Sequence, residues 1–294
     1  MPESPEVEVL ARFVRERAVG RLIDAVELDE FRALKTRARP LGELAGRAVT
    51  DVTRHGKHLA VATDGAVLVV SFGRAGWLRW EPAGEAAASA GLSDTVTTAP
   101  APTETAPAAA PIGRLTLDDG EAFVLTDAGT WLSFGLSVVD DAAEVAAIAK
   151  LGPDPLDDAF ALTDLERVVA GRRKQLKAVL QEQESLAGIG NAYSDEILHV
   201  ARLYPLRHAG DLDEGERARL FAAIREVLTG ALADRSGAPI AELKARKVAS
   251  MRVHGRTGEH CPVCGGLVAD VPGSKGAAQY CPVCQLDGEH PPAP

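Results

Sequence analysis

Cys261-Pro-Val-Cys264 and Cys281-Pro-Val-Cys284 hold all four cysteines of the 294-residue chain, with sixteen residues between the pairs. Two tight Cys-x-x-Cys turns at this spacing can bring four thiolates into a tetrahedron. A segment of about thirty residues with few large apolar side chains needs such a staple to fold. Two disulfides would require an oxidising compartment, and a thiol-redox motif would place one pair at the start of a helix. The expected occupant is one structural zinc ion held by Cys261, Cys264, Cys281 and Cys284, because four cysteine ligands leave no open position for catalysis.

The rest of the chain shows no export or membrane signal. Its N-terminal stretch is studded with charge, and no apolar run approaches the roughly 18 residues of a membrane span, so a cytoplasmic protein is expected. With 32 basic and 42 acidic residues the net charge is −10, a balance that taken globally points away from nucleic acid. Its distribution points back. Residues 81–111 carry Glu81, Glu85, Asp94 and Glu104 and no basic residue. Arg172, Arg173, Lys174 and Lys177 form one basic cluster, and Lys244, Arg246, Lys247, Arg252 and Arg256 form a second. A phosphate backbone responds to the nearby field more than to the total, so these patches fit a DNA-binding face; they equally fit two solvated helix faces.

The length allows two modest domains or one large one. Val7, Leu10 and Val14, with Gly20 behind them, predict an amphipathic helix over 6–19, with Ser4 as its N-cap and Pro5 at the first helical position. Residues 22–28 and 49–53 read as strands, and Leu59, Val61, Val67 and Val69 alternate around Asp64-Gly65 as a hairpin. Leu115 to Leu117 and Phe123 to Leu125 flank another turn at Asp119-Gly120. Between them, 81–111 is almost wholly Ala, Pro, Thr, Ser, Gly and Glu, a composition too poor in apolar surface to offset the entropy of ordering; it predicts a disordered insertion within one sheet domain. The prolines of Leu151-Gly-Pro-Asp-Pro-Leu156 mark the expected domain boundary. Helical periodicity follows, with a capping box at Thr163 and Glu166, one apolar face at Leu176, Val179 and Leu180, and another at Leu220, Ile224, Leu228 and Ala231.

Two short stretches carry chemical interest. In Met1-Pro2-Glu3-Ser4-Pro5-Glu6 a small second residue permits removal of the initiator methionine, which leaves Pro2 as a free secondary amine beside a carboxylate. An α-amino group with an ordinary pKa of about 8 has a neutral, nucleophilic fraction near neutral pH and can act as a covalent catalyst; a frayed tail entering a helix is the plainer alternative. Ala187-Gly188-Ile189-Gly190-Asn191 joins a helix ending near Glu184 to one beginning near Tyr193. Its amides could cradle a phosphate with Asn191 as a further donor, or the glycines could serve a tight helical turn.

Together, Pro2-Glu3, Arg54-His-Gly-Lys57, Lys177 through Gln183, Ala187-Gly-Ile-Gly-Asn-Ala-Tyr-Ser-Asp-Glu196, Val253-His-Gly-Arg256 and the four-cysteine ribbon ending in Gln285 resemble the formamidopyrimidine-DNA glycosylase and endonuclease VIII family. The match covers nearly the whole chain outside 81–111. The resemblance implies an α+β multidomain fold: an N-terminal catalytic β-sandwich with its opening helix over 1–140, a helix-two-turn-helix DNA-binding domain over 151–250, and a C-terminal zinc ribbon over 251–290. It also implies a monomer acting on damaged double-stranded DNA, a DNA glycosylase with abasic-site lyase activity in base excision repair that removes a damaged, oxidised base through a Schiff base on Pro2. In that scheme the nucleotide is flipped out of the stack, Glu3 is the general acid/base at the sugar ring oxygen, Lys57 contacts the phosphate and assists proton transfer, and Asn191 grips a backbone phosphate. Lys177, Arg256 and Gln279 complete the expected DNA contacts.

The chain also departs from the family. The ribbon hairpin reads Gly273-Ser-Lys-Gly-Ala-Ala-Gln-Tyr280, without the family's phosphate-clamping arginine; Lys275 is nearby but lacks the bidentate fork. Arg74 stands where the family commonly has a void-filling methionine, and Asp127-Ala-Gly-Thr-Trp131 replaces its Asp-Pro-Arg-Arg-Phe, so that Trp131 is either a wedge entering the base stack or a core residue. These changes leave a second reading open: a catalytically weak or inactive protein of the same fold that binds lesion-bearing or abasic DNA.

Overall fold

Alternation at period two leaves one apolar face on each strand. In the computed structural model, which describes residues 1–84 and 109–286, those faces pack into a sandwich. Its strands are β1 (Ile23–Leu28), β2 (Val49–His55), β3 (His58–Thr63), β4 (Val67–Ser71), β5 (Gly76–Glu81), β6 (Pro111–Leu117), β7 (Ala122–Asp127) and β8 (Gly135–Val139). They form two four-stranded sheets, ordered β1-β6-β7-β5 and β2-β3-β4-β8. In the β3–β4 hairpin Leu59 faces Val70 and Val61 faces Leu68, and at its Asp64-Gly65 turn the Thr63 hydroxyl accepts from Ala66 N at 3.0 Å. Between the sheets, Leu59, Val61, Leu68 and Val70 meet Leu78, Leu115, Phe123 and Leu125 around a residual void of only about 20 Å³, so the interior is close-packed.

The opening helix α1 (Ser4–Ala18) sends Val14 and Ala18 into the same interior. Its start differs from the expected cap. Ser4 lies inside the helix with its hydroxyl unpartnered, while Glu3 O accepts from Val7 N at 3.0 Å and the Glu6 carboxylate reaches back to Glu3 N at 2.9 Å. Gly20, at φ 84°, ends the helix as the periodicity implied.

Residues 81 and 111 are paired, not looped: Glu81 closes β5 opposite Ala122, and Pro111 opens β6 opposite Thr126. β-Sheet hydrogen bonding therefore claims both ends of the expected insertion. Its remainder over 85–108 lies outside the described residues.

Helices follow the sandwich: α2 (Ala146–Ala149), α3 (Leu162–Val169), α4 (Leu176–Gln181), α5 (Asn191–Ala201), α6 (Glu214–Arg235) and α7 (Leu243–Ser250). Leu176, Val179 and Leu180 share one buried cluster with Tyr193, Ile197, Leu220, Ile224 and Leu228, and Ala231 is only partly buried against it. The cap of α3 is Ala161, whose N–H donates to Asp164 at 2.9 Å, not the expected Thr163–Glu166 pair; the shorter Asp164 side chain reaches the free amide one turn earlier. The sequence carries a true capping box at Asp213 and Glu216 ahead of α6, at 2.7 and 2.9 Å. The ribbon contributes β9 (Ala269–Asp270), β10 (Gln279–Tyr280) and α8 (Pro282–Gln285).

The chain divides into two compact units that do not follow a single cut. One contains Met1–Pro2, Leu10–Thr53 and His58–Val145; the other contains Glu3–Val9, Arg54–Lys57 and everything from Ala146 onward. Glu3 and Lys57 thus belong with the helices and the ribbon. Among the described residues, no helix is long and apolar enough to cross a membrane.

Candidate active site

Glu3 is fully buried, yet it is a carboxylate. Burying one costs several kcal/mol unless donors replace its water, and the glycine turn supplies them. The Gly190 and Ala192 amides donate to its two oxygens, the second at 3.1 Å, and the Lys247 ammonium lies 3.2 Å from Oε1. Those amides belong to the first turn of α5, where unsatisfied N–H groups and the helix dipole favour an anion. The anion held on the Gly190 and Ala192 amides is the protein's own carboxylate.

The glycines are required by this docking. A Cβ on Gly190 would lie 2.6 Å from Glu3 Cδ, and one on Gly188, at φ 87°, would lie 2.5 Å from Ser4 Cβ. Ser4 N donates to Gly188 O at 3.0 Å. Gln183 pins the turn from behind: its Oε1 accepts from Gly188 N at 3.0 Å, and its Nε2 donates to Gln181 O and Ile189 O at 2.8 Å.

Glu6, one turn along α1, forms the second buried carboxylate. It accepts from Glu3 N at 2.9 Å, from Lys247 Nζ at 2.9 Å and from the Tyr193 hydroxyl, and Arg235 Nε lies 3.0 Å away. Arg235 is completely buried and also donates to Ala231 O and Ser250 Oγ, both at 2.8 Å. Two carboxylates and two cations therefore balance, and the Lys247 ammonium adds a cation–π contact 4.5 Å from the Tyr193 ring centre. Burial pulls the Glu3 pKa up, but Lys247, Lys57 and the Gly190 amide outweigh it and hold the carboxyl below its ordinary range. Burial depresses Lys247, and the charges of Glu3 and Glu6 overcome it, raising the ammonium pKa. Both directions favour the ion pair.

Lys57 follows the β2–β3 turn at Gly56, whose φ is 57° and whose Cβ position is 3.3 Å from the Leu151 side chain. Arg54 fastens this turn by ion pairs to Glu8, at 3.0 Å, and Asp154. Burial, helped by repulsion from Lys247, outweighs the attraction of Glu3 and lowers the Lys57 pKa, so this ammonium releases its proton more readily than an exposed lysine. Pro2 is buried immediately ahead of Glu3, and Met1 is exposed.

The expected DNA contacts separate into two groups. Lys177 is buried, and its ammonium is spent on Asp195, Ser194 Oγ at 2.8 Å and Asn191 O at 3.0 Å. Gln279 is likewise enclosed, accepting from Gly255 N at 2.9 Å and donating to Asp270 at 3.0 Å and Gly276 O at 2.9 Å. Both side chains hold the protein together instead of facing outward. Asn191 accepts from Gln181 at 2.9 Å and donates to Ala277 O, tying the glycine turn to the ribbon. Arg256 pairs with Glu259 at 3.0 Å. Arg172 and Lys174, members of the first basic cluster, both pair with Glu182, at 2.7 and 2.8 Å. Arg74 and Lys275 are exposed, Lys275 at φ 53°. Trp131 is 86% exposed, which removes it from the core.

The four cysteine sulfurs lie within 4.8 Å of one another. Cys261–Cys284 at 3.9 Å and Cys264–Cys281 at 3.4 Å are far too long for disulfides and bracket the ~3.8 Å edge of a tetrahedron with ~2.3 Å zinc–sulfur bonds. His199 of α5 approaches Cys261 Sγ at 3.2 Å. Two acids of α5 hold the segment leading into the ribbon. Glu196 accepts from the amides of Arg252, Val253 and His254 at 2.8 to 3.0 Å, and Asp195 meets His254 at 2.7 Å and Gln279 N at 3.2 Å. Sequence reasoning passed over Lys247's site role, Glu6, Tyr193 and Arg235; the Glu3–Glu6 spacing of one helical turn was the signal available.

This arrangement has relatives. The family model for the formamidopyrimidine-DNA glycosylase N-terminal domain matches residues 1–131, and that for the formamidopyrimidine-DNA glycosylase H2TH domain matches residues 151–241. A formamidopyrimidine-DNA glycosylase of Thermus thermophilus is 33% identical over 298 residues, covering 98% of this chain and 100% of its own. An uncharacterized formamidopyrimidine-DNA glycosylase-like protein of Mycobacterium tuberculosis is 45% identical over 139 residues, 47% of this chain and 87% of its own. Among solved structures, the MutM (Fpg) protein of Thermus thermophilus matches with a TM-score of 0.76 at 31% identity, covering 99% of this chain and 100% of that one. The Lactococcus lactis Fpg in complex with Fapy-dG-containing DNA matches with a TM-score of 0.78 at 25% identity, covering 96% and 99%. The chain belongs to the formamidopyrimidine-DNA glycosylase and endonuclease VIII family, the DNA glycosylases of base excision repair.

Proposed function

We propose that this protein is a bifunctional DNA glycosylase and abasic-site lyase acting as a monomer on double-stranded DNA that bears an oxidised or ring-opened base. The carrying observation is the buried, ionised Glu3 carboxylate, which directly follows Pro2 in the chain and is anchored on Gly190, Ala192 and Lys247. With Met1 removed, the Pro2 nitrogen attacks C1′ of the flipped nucleotide. The C1′–base bond breaks, and the base leaves with its electron pair and takes a proton supplied by Lys57, whose lowered pKa suits a donor. Glu3, starting as the carboxylate, accepts the proton from the newly bonded nitrogen and passes it to the ring oxygen as the C1′–O4′ bond opens. The product is an iminium on Pro2, and loss of a C2′ proton then expels the 3′-phosphate. Exposed Trp131, Arg74 and Lys275 are the side chains proposed to meet the bent duplex.

Cys261, Cys264, Cys281 and Cys284 would hold zinc, which would cross-link the ribbon with no coordination position left open for the chemistry. The test is a panel of lesion-bearing duplexes assayed separately for base release and for strand nicking without alkali. Base release accompanied by nicking is expected. Tight lesion binding with neither would assign the protein to recognition alone.

A further inference from the structure

Lys247 serves the two carboxylates of the Glu3–Glu6 cluster unequally. Glu6 is satisfied without Lys247, since Arg235, Tyr193 and Glu3 N already reach it. Glu3 is different. Its hydrogen-bond donors other than Lys247 are two neutral amides, and among the described residues Lys247 brings the one ammonium within hydrogen-bond distance of its oxygens. Lys247 sits on α7, buried, with its chain length spent in reaching Glu3, just ahead of α1, and Glu6 on α1 at once.

We propose that Lys247 is a positioning residue for base excision: bridged to Glu6, its ammonium fixes the orientation and the charge of Glu3 against the glycine turn. The inference rests on the reading of Glu3 as the proton carrier. The other groups facing Glu3 are Glu6 on α1, Lys57 at the β2–β3 turn, Lys177 on α4 and Tyr193 on α5, with Arg235 on α6 behind Glu6. Of these, Lys57 and Lys177 add favourable charge at longer range, and Lys247 is the largest influence opposing burial. Lys247 also repels charge on Lys57, which places both proton-handling groups of the proposed mechanism under its field.

The consequence is selective. Base excision needs a proton carried to the ring oxygen, whereas Schiff-base formation on a preformed abasic site begins from a sugar that already opens to the aldehyde. Lys247 should therefore matter for the first and not for the second. The experiment compares full-length wild type, Lys247→Met and Lys247→Arg, each confirmed by mass to begin at Pro2. Single-turnover excision is followed against pH, and borohydride trapping is measured on preformed abasic duplex. Lys247→Met should lose about tenfold to a hundredfold in excision, at or below the lower end of the roughly 10²–10⁴-fold that a general acid–base group itself contributes, with its acidic limb moved to higher pH. Trapping should stay within about threefold, and Lys247→Arg should recover most of the excision.

Unchanged excision, or a parallel fall of excision and trapping together with lost thermal stability, would overturn the proposal. Carbon-13 NMR titration of the Glu3 carboxyl, assigned by difference with Glu3→Gln, needs no activity. It should titrate at higher pH in Lys247→Met than in wild type, and equal titration would sink the idea. A wild type that excises and traps nothing would instead fail the functional reading, leaving the titration to decide the role of Lys247.

Discussion

Replacing Gly190 with alanine isolates the contact on which the site depends. Gly190 has φ −126° and ψ −153°, extended backbone that alanine adopts freely, so strain is not the issue. The added Cβ would lie 2.6 Å from Glu3 Cδ where ordinary contact begins at 3.4 Å, so the carboxylate must withdraw by about 0.8 Å. That movement breaks or stretches its bonds from Gly190, Ala192 and Lys247. One buried donor left unpaired costs about 1–3 kcal/mol of stability, and a displacement near 1 Å at a catalytic group costs on the order of 10²-fold in rate. Gly190→Ala should unfold at a moderately lower temperature, bind lesion duplex nearly as well as wild type, and excise about 10²-fold more slowly in single-turnover assays. Excision at the wild-type rate with unchanged thermal stability would refute the placement of Glu3 on this turn.

Other outcomes follow from the same geometry. Because the Glu3 pKa is lowered on folding, its pairing stabilises fully above the ordinary carboxyl value of 4.5 and loses that stabilisation as pH falls below it. The raised Lys247 contributes below its ordinary 10.5 and loses its share as pH climbs above that value. Thermal melts should therefore hold a plateau between these limits, and Glu3→Gln should lessen the acid-side fall. Metal analysis should find one zinc per chain, and prolonged chelation should release it and abolish duplex binding while far-ultraviolet dichroism of the sandwich persists. Trp131→Ala, at a site 86% exposed, should change stability by less than about 0.5 kcal/mol yet weaken lesion-duplex binding by about 1–3 kcal/mol, read by anisotropy.

What was legible in sequence had a local cause. Cysteine spacing constrains a four-thiol cluster because each pair closes its own turn, and Asp64-Gly65 marks a hairpin because only three residues separate alternating strands. Glu3 and the glycine turn were each recognisable, but their contact spans 187 residues, and nothing local told that Gly190 and Ala192 would hold a carboxylate. Lys247 could be read only as one more charge in a basic patch, since its partners Glu3 and Glu6 lie at the other end of the sequence. The partners of Lys177 and Gln279 were hidden in the same way. A lysine or glutamine in a DNA-binding motif looks outward until a buried acid such as Asp195, or a turn rich in free amides, claims it from another element.

In the proposed reaction the Pro2 nitrogen forms the covalent bond to DNA. Protein shown by mass to begin at Pro2 should be trapped with borohydride on lesion-bearing or abasic duplex and then digested. The adduct should map to the N-terminal peptide, with the added mass on Pro2, and Pro2→Gly should lose most of the trapping. An adduct on a lysine, or firm duplex binding with no adduct on any lesion or abasic duplex, would contradict it.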